Sequence, residues 1–384
     1  MKIVVDGVFF QLASTGIYRV WASILPLMAR FPDTEIVLLD RGKSPPLPGI
    51  RKIEFPRYTW NSTAADSRLL EMFCEDAGAD VFVSTYYTTP LTVPSALIIH
   101  DMIPEVFKFD FSGRGWMEKE VAIAYASRFI CVSENTRSDL LKFYPDIPAE
   151  RIAVAHCGLD KANFRVRDAG EIAAFRARNG LDRPYFIHVG SREQTHGYKN
   201  AVLMFKAMQN LPGVDADLLC VGGEPKVPSE WCEDLQPGTR VHHVHLTDDE
   251  LCLAYAGAEA LVFPSLYEGF GMPLTEAMAS GCPVITTELG SLGEVAGDAA
   301  LLISGKDVRE LREAMRTVRE PATRERLIAA GFRRVASFEW DVLARAVHAQ
   351  LQHALEDGKT ADSQAFHAEW RRVRLIQEAV DPLL

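Results

Sequence analysis

Two carboxylates, Glu268 and Glu276, stand eight positions apart in Glu268-Gly-Phe-Gly-Met-Pro-Leu-Thr-Glu276. A Gly-Phe-Gly corner follows the first, and helix-like apolar sequence runs on past the second through Ala277, Met278 and Ala279. Upstream, Ala260-Leu-Val-Phe-Pro264 reads as a buried parallel strand ending at a proline. The segment is therefore expected to run strand, glycine turn, helix. Glu268 would sit at the mouth of the turn and Glu276 about one to two turns into the helix. Such a turn offers free backbone N–H groups to a phosphate, while carboxylates accept hydrogen bonds from sugar hydroxyls.

The longer run from Pro264 to Ala279, followed by Gly281 and Pro283-Val-Ile285, closely resembles the E-x7-E signature of retaining glycosyltransferases of family four. Two glutamates at this spacing would carry nothing alone, because helix faces often bear such pairs for solubility. The residues between and around them make the pattern specific. The resemblance implies the α/β GT-B fold: two Rossmann-like, doubly wound domains facing across a cleft, with a C-terminal helix crossing back. It also implies roles. Glu276 would accept from the ribose hydroxyls of a nucleotide-sugar and Glu268 from hydroxyls of the transferred sugar. Phe270, Gly271, Met272, Pro273 and Leu274 would line the donor, with amides near Phe270 and Gly271 orienting its sugar.

A second phosphate-directed element is Gly190-Ser191-Arg192, followed by Lys199-Asn200 at the head of a helical pattern. A basic pair at a strand end and a helix start can neutralise a diphosphate, assisted by the helix dipole. It resembles the family's Arg…Lys pair, whose fixed cations would stabilise the charge of a departing nucleoside diphosphate without a metal. A polar loop, Glu193-Gln-Thr-His-Gly-Tyr198, separates the two cations. In the first half, Gly16-Ile-Tyr-Arg19 lies where similar enzymes place a glycine loop against the donor diphosphate. Gly16 would allow close backbone approach and Arg19 would add a phosphate contact. Ile98-Ile-His100-Asp101 ends an apolar strand with two polar residues, where parallel sheets present ligands. His100 resembles the family's strand-terminal histidine that reaches the donor sugar or reacting centre, and Asp101 is placed on the acceptor side. Ser133 in Val132-Ser-Glu-Asn-Thr136 matches the family and also reads as a helix N-cap; Gly158 is expected in a turn beside the cleft.

Other features carry less. His242, His243 and His245 share a short strand whose neighbours alternate faces, a poor shared metal site. Asp215-x-Asp217 looks like the metal pair of a different glycosyltransferase fold but opens a strand without supporting context. Cys157 beside His156 gives no nucleophile–base geometry, and no Gly-x-x-x-x-Gly-Lys-Ser/Thr loop is present. Lys43 to Lys52, with Arg57 beyond, is proline-rich and reads as an exposed connector whose cations could meet a lipid phosphate or an anionic acceptor. Tyr58, Trp60 and Trp116 could form a sugar-stacking platform on the acceptor side or simply close a core.

Positioning these residues requires a scaffold, and short apolar runs alternating with helical patterns indicate parallel sheets covered by helices. Strands are expected at 2–5, 35–39, 81–84, 96–99, 129–132 and 152–155, then at 185–189, 216–221, 240–244, 260–263, 284–286 and 300–302. Asp307–Arg319 places Val308, Leu311, Met315 and Val318 at helical spacing. The polar stretch 160–182 separates two doubly wound series, and the tail from about Glu339 is helical. The expected domains are 1–165, binding the acceptor; 166–340, binding the donor; and a helical segment 341–384 returning to the first.

The chain has 384 residues, 48% hydrophobic and 24% charged, enough for about two or three domains. A net charge of −11 with no basic stripe argues against nucleic-acid binding. Seven scattered cysteines without a C-x-x-C indicate a reducing compartment rather than disulfides or zinc. No apolar run approaches the roughly 18–20 residues of a membrane span. The expectation is a cytoplasmic protein with at most peripheral contact at the membrane's inner face.

Together these readings point to a retaining hexosyltransferase without cofactor or metal. It would use a nucleoside-diphosphate sugar as co-substrate and a glycan or lipid-linked hydroxyl as acceptor, in polysaccharide or glycan assembly. A catalytically idle sugar-nucleotide-binding protein, or another GT-B enzyme such as a phosphorylase or a nucleotide-sugar epimerase, stays open. Base, sugar, acceptor, linkage and oligomeric state are not encoded in any motif.

Overall fold

A computed structural model describes residues 1–60, 63–192, 197–209, 211 and 213–380. The chain forms two units, one of Met1–Gly158 with the chain from Trp340 onward, the other of Leu159–Glu339. The segment 159–165, expected in the first domain, thus belongs to the second.

In the first unit the elements run β1 (Lys2–Asp6), α1 (Val8–Leu12), α2 (Gly16–Met28), β2 (Glu35–Asp40), β3 (Arg51–Glu54), α3 (Thr63–Ala77) and β4 (Val81–Ser84). They continue with β5 (Ala96–Ile99), α4 (Ile103–Val106), α5 (Arg114–Tyr125), β6 (Arg128–Cys131), α6 (Glu134–Phe143) and β7 (Ile152–Val154). The strands are parallel, in the orders β3-β2-β1-β4 and β5-β6-β7, and a parallel bridge from Phe82 to Ser95 links the two sets. Runs such as Ile3-Val-Val5 and Ala96-Leu-Ile-Ile99 are buried on both faces, which is why they read as continuous apolar stretches. β3 corrects the reading of 43–57 as a connector throughout. Its sequence, Arg-Lys-Ile-Glu, has one apolar residue, because an edge strand pairs on one side only and stays exposed.

The second unit contains α7 (Ala169–Arg178), β8 (Tyr185–Val189), α8 (Val202–Met208), β9 (Asp217–Val221), β10 (Val241–Val244), α9 (Asp248–Ala256) and β11 (Ala260–Phe263). It ends with α10 (Met272–Ala279), β12 (Val284–Thr287), α11 (Leu292–Ala296), β13 (Ala300–Ile303), α12 (Val308–Thr317) and α13 (Pro321–Val335). All six strands are parallel, in the order β10-β9-β8-β11-β12-β13. The polar stretch 160–182 holds α7, started by a capping box between Asp168 and Glu171 and anchored by buried Phe175. One core of this unit packs Phe186, Phe205, Met208, Leu218, Val262 and Met315 together.

The tail returns as α14 (Trp340–Asp357) and α15 (Ala361–Val380). Leu343, Ala344, Val347, Leu351 and Ala354 form the buried face of α14, which packs on α2 and on β4–β6. Arg128 holds Asp357 through two hydrogen bonds, of 2.6 and 2.9 Å. Buried Arg374 of α15 donates to the Thr63 carbonyl, Ser67 Oγ and Glu118. Gly158 serves close approach: a Cβ there would lie 2.3 Å from the Trp340 nitrogen. All seven cysteines are free. Among the described residues, no helix is long and apolar enough to cross a membrane.

Candidate functional site

In an open parallel sheet, ligands bind beyond the carboxyl ends of the strands where the strand order reverses. In the second unit that point lies between β8 and β11. Gly190-Ser191-Arg192 follows β8 and Pro264–Glu268 follows β11, so the two stretches singled out from sequence meet at the same place.

The turn carrying Lys199 is fastened to this edge. The Tyr198 carbonyl accepts from the Leu266 amide at 2.7 Å and from Ser265 Oγ at 3.1 Å. Asn200, with a left-handed φ of 51°, donates its side-chain amide to the carbonyls of Pro264 and Gly305. Lys199 Nζ thereby reaches Glu268 Oε1 at 2.8 Å, where Ser265 Oγ also donates at 2.9 Å. Residues 193–196, the loop between the two cations, lie outside the described residues.

Arg192 is placed differently from a solvent-facing phosphate clamp. It is 2% exposed, and its guanidinium donates to the carbonyls of Gly222 and Glu224. Its Nε is buried without a hydrogen-bond partner among the described residues. The Glu224 carboxylate accepts from Ser191 Oγ and the Arg192 amide, an anion seated on the turn that sequence assigned to phosphate. Burial opposes ionisation of Glu224, but these hydrogen bonds outweigh it and hold the carboxyl below its usual range. Sequence offered no sign of Glu224, because its role depends on β8 and β9 lying side by side.

Gly271 occupies the N-cap of α10 at φ 96°, and a Cβ there would meet Leu292 Cδ2 at 2.8 Å. Met272 and Pro273 open the helix; Leu274 and Glu276 are buried within it. Glu276 is 4% exposed and accepts from the Tyr255 hydroxyl at 3.3 Å. Phe270 is buried edge-on against Phe338, ring centroids 5.4 Å apart. Beneath the site lies a histidine that sequence reading missed. His188 of β8 is fully buried, with Nδ1 3.1 Å from the Val262 carbonyl. Burial pushes its pKa down to about 4; the Val262 bond opposes this, and Lys199 and Arg192 add to it.

Asp217 of the Asp215-x-Asp217 pair is a structural anchor. It is fully buried and accepts from Arg183, from the Arg240 amide and side chain, and from His242 at 3.3 Å.

In the first unit, Gly16 opens α2 and the Arg19 amide bonds the Thr15 carbonyl. His100 follows β5, where burial and nearby Lys119, working against Asp101, push its pKa down to about 4. Asp101 Oδ1 accepts from the Ile103 amide, tying it to the start of α4. Ser133 is the N-cap of α6, accepting from the Thr136 amide at 3.0 Å. Tyr58, read from sequence as either part of a platform or a core residue, is 6% exposed and takes the second place. Its ring lies edge-on to Trp60 and under the Arg41 guanidinium, while Trp116 lies edge-on to Phe109.

Residues 27–163 match the model of Glycosyltransferase Family 4, and residues 171–334 that of Glycosyl transferases group 1. The chain is 31% identical to a D-inositol 3-phosphate glycosyltransferase of Frankia alni, over 73% of this chain and 70% of that protein. The chain belongs to glycosyltransferase family 4. Another relative of this family 4 chain is the O-antigen chain mannosyltransferase B of Escherichia coli, 25% identical over 59% of this chain and 61% of that protein. The fold is GT-B. It superposes on Anabaena HepE, solved in complex with UDP-glucose, with a TM-score of 0.71 at 18% identity, covering 93% of this chain and 100% of that one.

Proposed function

We propose that this family 4 member is a retaining, metal-independent glycosyltransferase that moves a hexose from a nucleoside-diphosphate sugar to a hydroxyl of a glycan or lipid-linked acceptor. The observation carrying this reading is the gathering of Lys199, Glu268 and the Gly190–Arg192 turn at one sheet switch point, with Glu276 in the following helix. Lys199, the Gly190–Ser191 backbone and Arg192 would hold the diphosphate. Arg192 Nε, without a hydrogen bond among the described residues, is the donor of that side chain left for an anion. Glu268 would accept from the transferred sugar and Glu276 from the ribose. His100 is assigned to the reacting sugar and Gly16 with Arg19 to the phosphates; Asp101 with Trp60 and Trp116 marks the acceptor side.

In the reaction, the acceptor hydroxyl attacks the anomeric carbon from the face that the diphosphate leaves. The bond from the anomeric carbon to phosphate oxygen breaks as the new glycosidic bond forms, and the hydroxyl proton passes to the departing phosphate oxygen. The protein supplies positioning and fixed positive charge, and no side chain forms a covalent intermediate. Mannosyl transfer in O-antigen assembly and glucosyl transfer from UDP-glucose, the chemistries suggested by the names of the relative and the structural neighbour, are the donor classes to test first.

Calorimetric titration with UDP, GDP and ADP and their common sugars, with and without EDTA, tests the reading. Binding of one nucleotide unchanged by EDTA is the expected result. Binding that EDTA abolishes would overturn metal independence, and absence of binding to every nucleotide would overturn the donor site.

A further inference from the structure

The first unit contains a cavity of about 420 Å³. It lies where α5 turns into β6, under the α14–α15 turn, and is lined by Tyr125, Ser127, Thr360, Asp362, Phe366 and His367. Ser127 immediately precedes β6, whereas His100 follows β5, so the cavity is at the amino-terminal edge of strands whose carboxyl-terminal edge carries His100. Its size falls within the range of small-molecule sites, roughly 300–1,000 Å³.

Its wall combines two chemistries. Tyr125 and Phe366 pack against His367, and Trp370, outside the lining, packs on both rings, with the Tyr125 ring centroid 5.5 Å from His367 and 5.4 Å from Trp370. The Tyr125 hydroxyl is bonded to the Val93 carbonyl at 2.6 Å, which fixes its ring. Phe366 is 40% exposed and presents an open aromatic surface. His367 is only 8% exposed, yet its imidazole has no hydrogen-bond partner among the described residues. Burial holds it below its usual pKa against the pull of Glu71, so the ring is neutral and offers one donor and one acceptor. Asp362 on the rim makes no hydrogen bond or ion pair among the described residues. Asp357, also in the lining, is already satisfied by Arg128.

We infer that this cavity is a second binding site for a neutral saccharide, separate from the transfer centre. A pyranose presents apolar C–H faces to an aromatic ring and hydroxyls at its edge. Phe366 supplies the first contact; His367, Asp362 and the Ser363 hydroxyl supply the second. The lining carries both signs, Arg151 against Asp362 and an Asp357 already held by Arg128, so the wall selects for neither net charge and suits an uncharged polyol. The site does not depend on the transfer reaction; it would hold part of a glycan at a distance from the reacting hydroxyl.

The test uses the full chain labelled with ¹⁵N-histidine, the His367 signal being assigned by its loss in His367→Gln. Mannobiose, maltotriose and lactose are titrated separately, then inorganic phosphate and tetramethylammonium. At least one saccharide should shift the His367 signal saturably. Phe366→Ala should weaken that binding about five- to tenfold while leaving nucleotide titrations unchanged. A His367 signal unmoved by all three saccharides overturns the inference, as does a shift produced only by phosphate or only by tetramethylammonium. Loss of nucleotide binding with saccharide binding retained would overturn the transfer reading and leave this site standing.

Discussion

Lys199 Nζ lies 2.8 Å from Glu268 Oε1, so the cation proposed for the diphosphate and the carboxylate proposed for the sugar hold each other. Ser265 Oγ completes the arrangement on the same oxygen. On the proposed reading, a donor at this edge would bring phosphate charge to Lys199 and hydroxyls to Glu268, and each partner would exchange the other for a ligand atom.

Coupling between the two is the first prediction. Lys199→Ala and Glu268→Ala should each lower kcat/KM, and the double variant should lose less than the summed free energies, by about 0.5–3 kcal/mol. Additive losses in the double-mutant cycle would mean that the pair acts independently.

Glu276 is buried in α10 with one oxygen on the Tyr255 hydroxyl. Glu276→Ala should weaken donor binding about 10- to 100-fold, the weight of hydrogen bonds to a charged acceptor. Tyr255→Phe should cost less, since the carboxylate remains. An unaltered calorimetric titration of Glu276→Ala would remove it from the ribose assignment.

Glu224 occupies the Ser191 hydroxyl and the Arg192 amide, groups suited to a phosphate. Neutralising it in Glu224→Gln should tighten nucleoside-diphosphate binding by about three- to tenfold, because an internal anion no longer competes. Weaker binding by the variant would instead make Glu224 a ligand contact.

Asp217 is fully buried beneath Arg183, Arg240 and His242. Asp217→Ala should destabilise the second unit by about 2–3 kcal/mol, less than for a wholly buried pair because Arg240 reaches solvent. Urea unfolding measures it, and a midpoint equal to that of the parent would show the cluster to be dispensable.

Acid sensitivity follows from His188, whose native pKa of about 4 lies below the unfolded value of 6.5. Between those values the unfolded chain binds the extra proton. Stability is therefore complete above pH 6.5 and declines as pH falls toward 4, by roughly 3 kcal/mol at most from this site. Urea midpoints between about pH 7 and pH 5 should fall for the parent and fall less for His188→Phe. Parallel slopes would exclude His188 as the source.

The twelve expected strands are all present; most are buried and leave an uninterrupted apolar signature, whereas β10 and β13 at the sheet edges are only partly buried. β3 escaped because its sequence, Arg-Lys-Ile-Glu, holds a single apolar residue, and α7 because its buried face is little more than Phe175. Glu268, Gly271 and Glu276 were legible for a local reason: strand, left-handed turn and helix start fall within one short stretch of chain, where residue type and spacing are coupled. Chain order alone thus determined two doubly wound halves and the carboxylates of the second. Tertiary structure decided the partners: Lys199 on Glu268, Glu224 on the Ser191–Arg192 turn, Arg192 folded onto the carbonyls of Gly222 and Glu224. It likewise decided that Tyr58 is core and that His188 and His367 are buried. Those relations join residues distant in the chain, and they arise only when parallel strands place their carboxyl ends, and the loops beyond them, side by side.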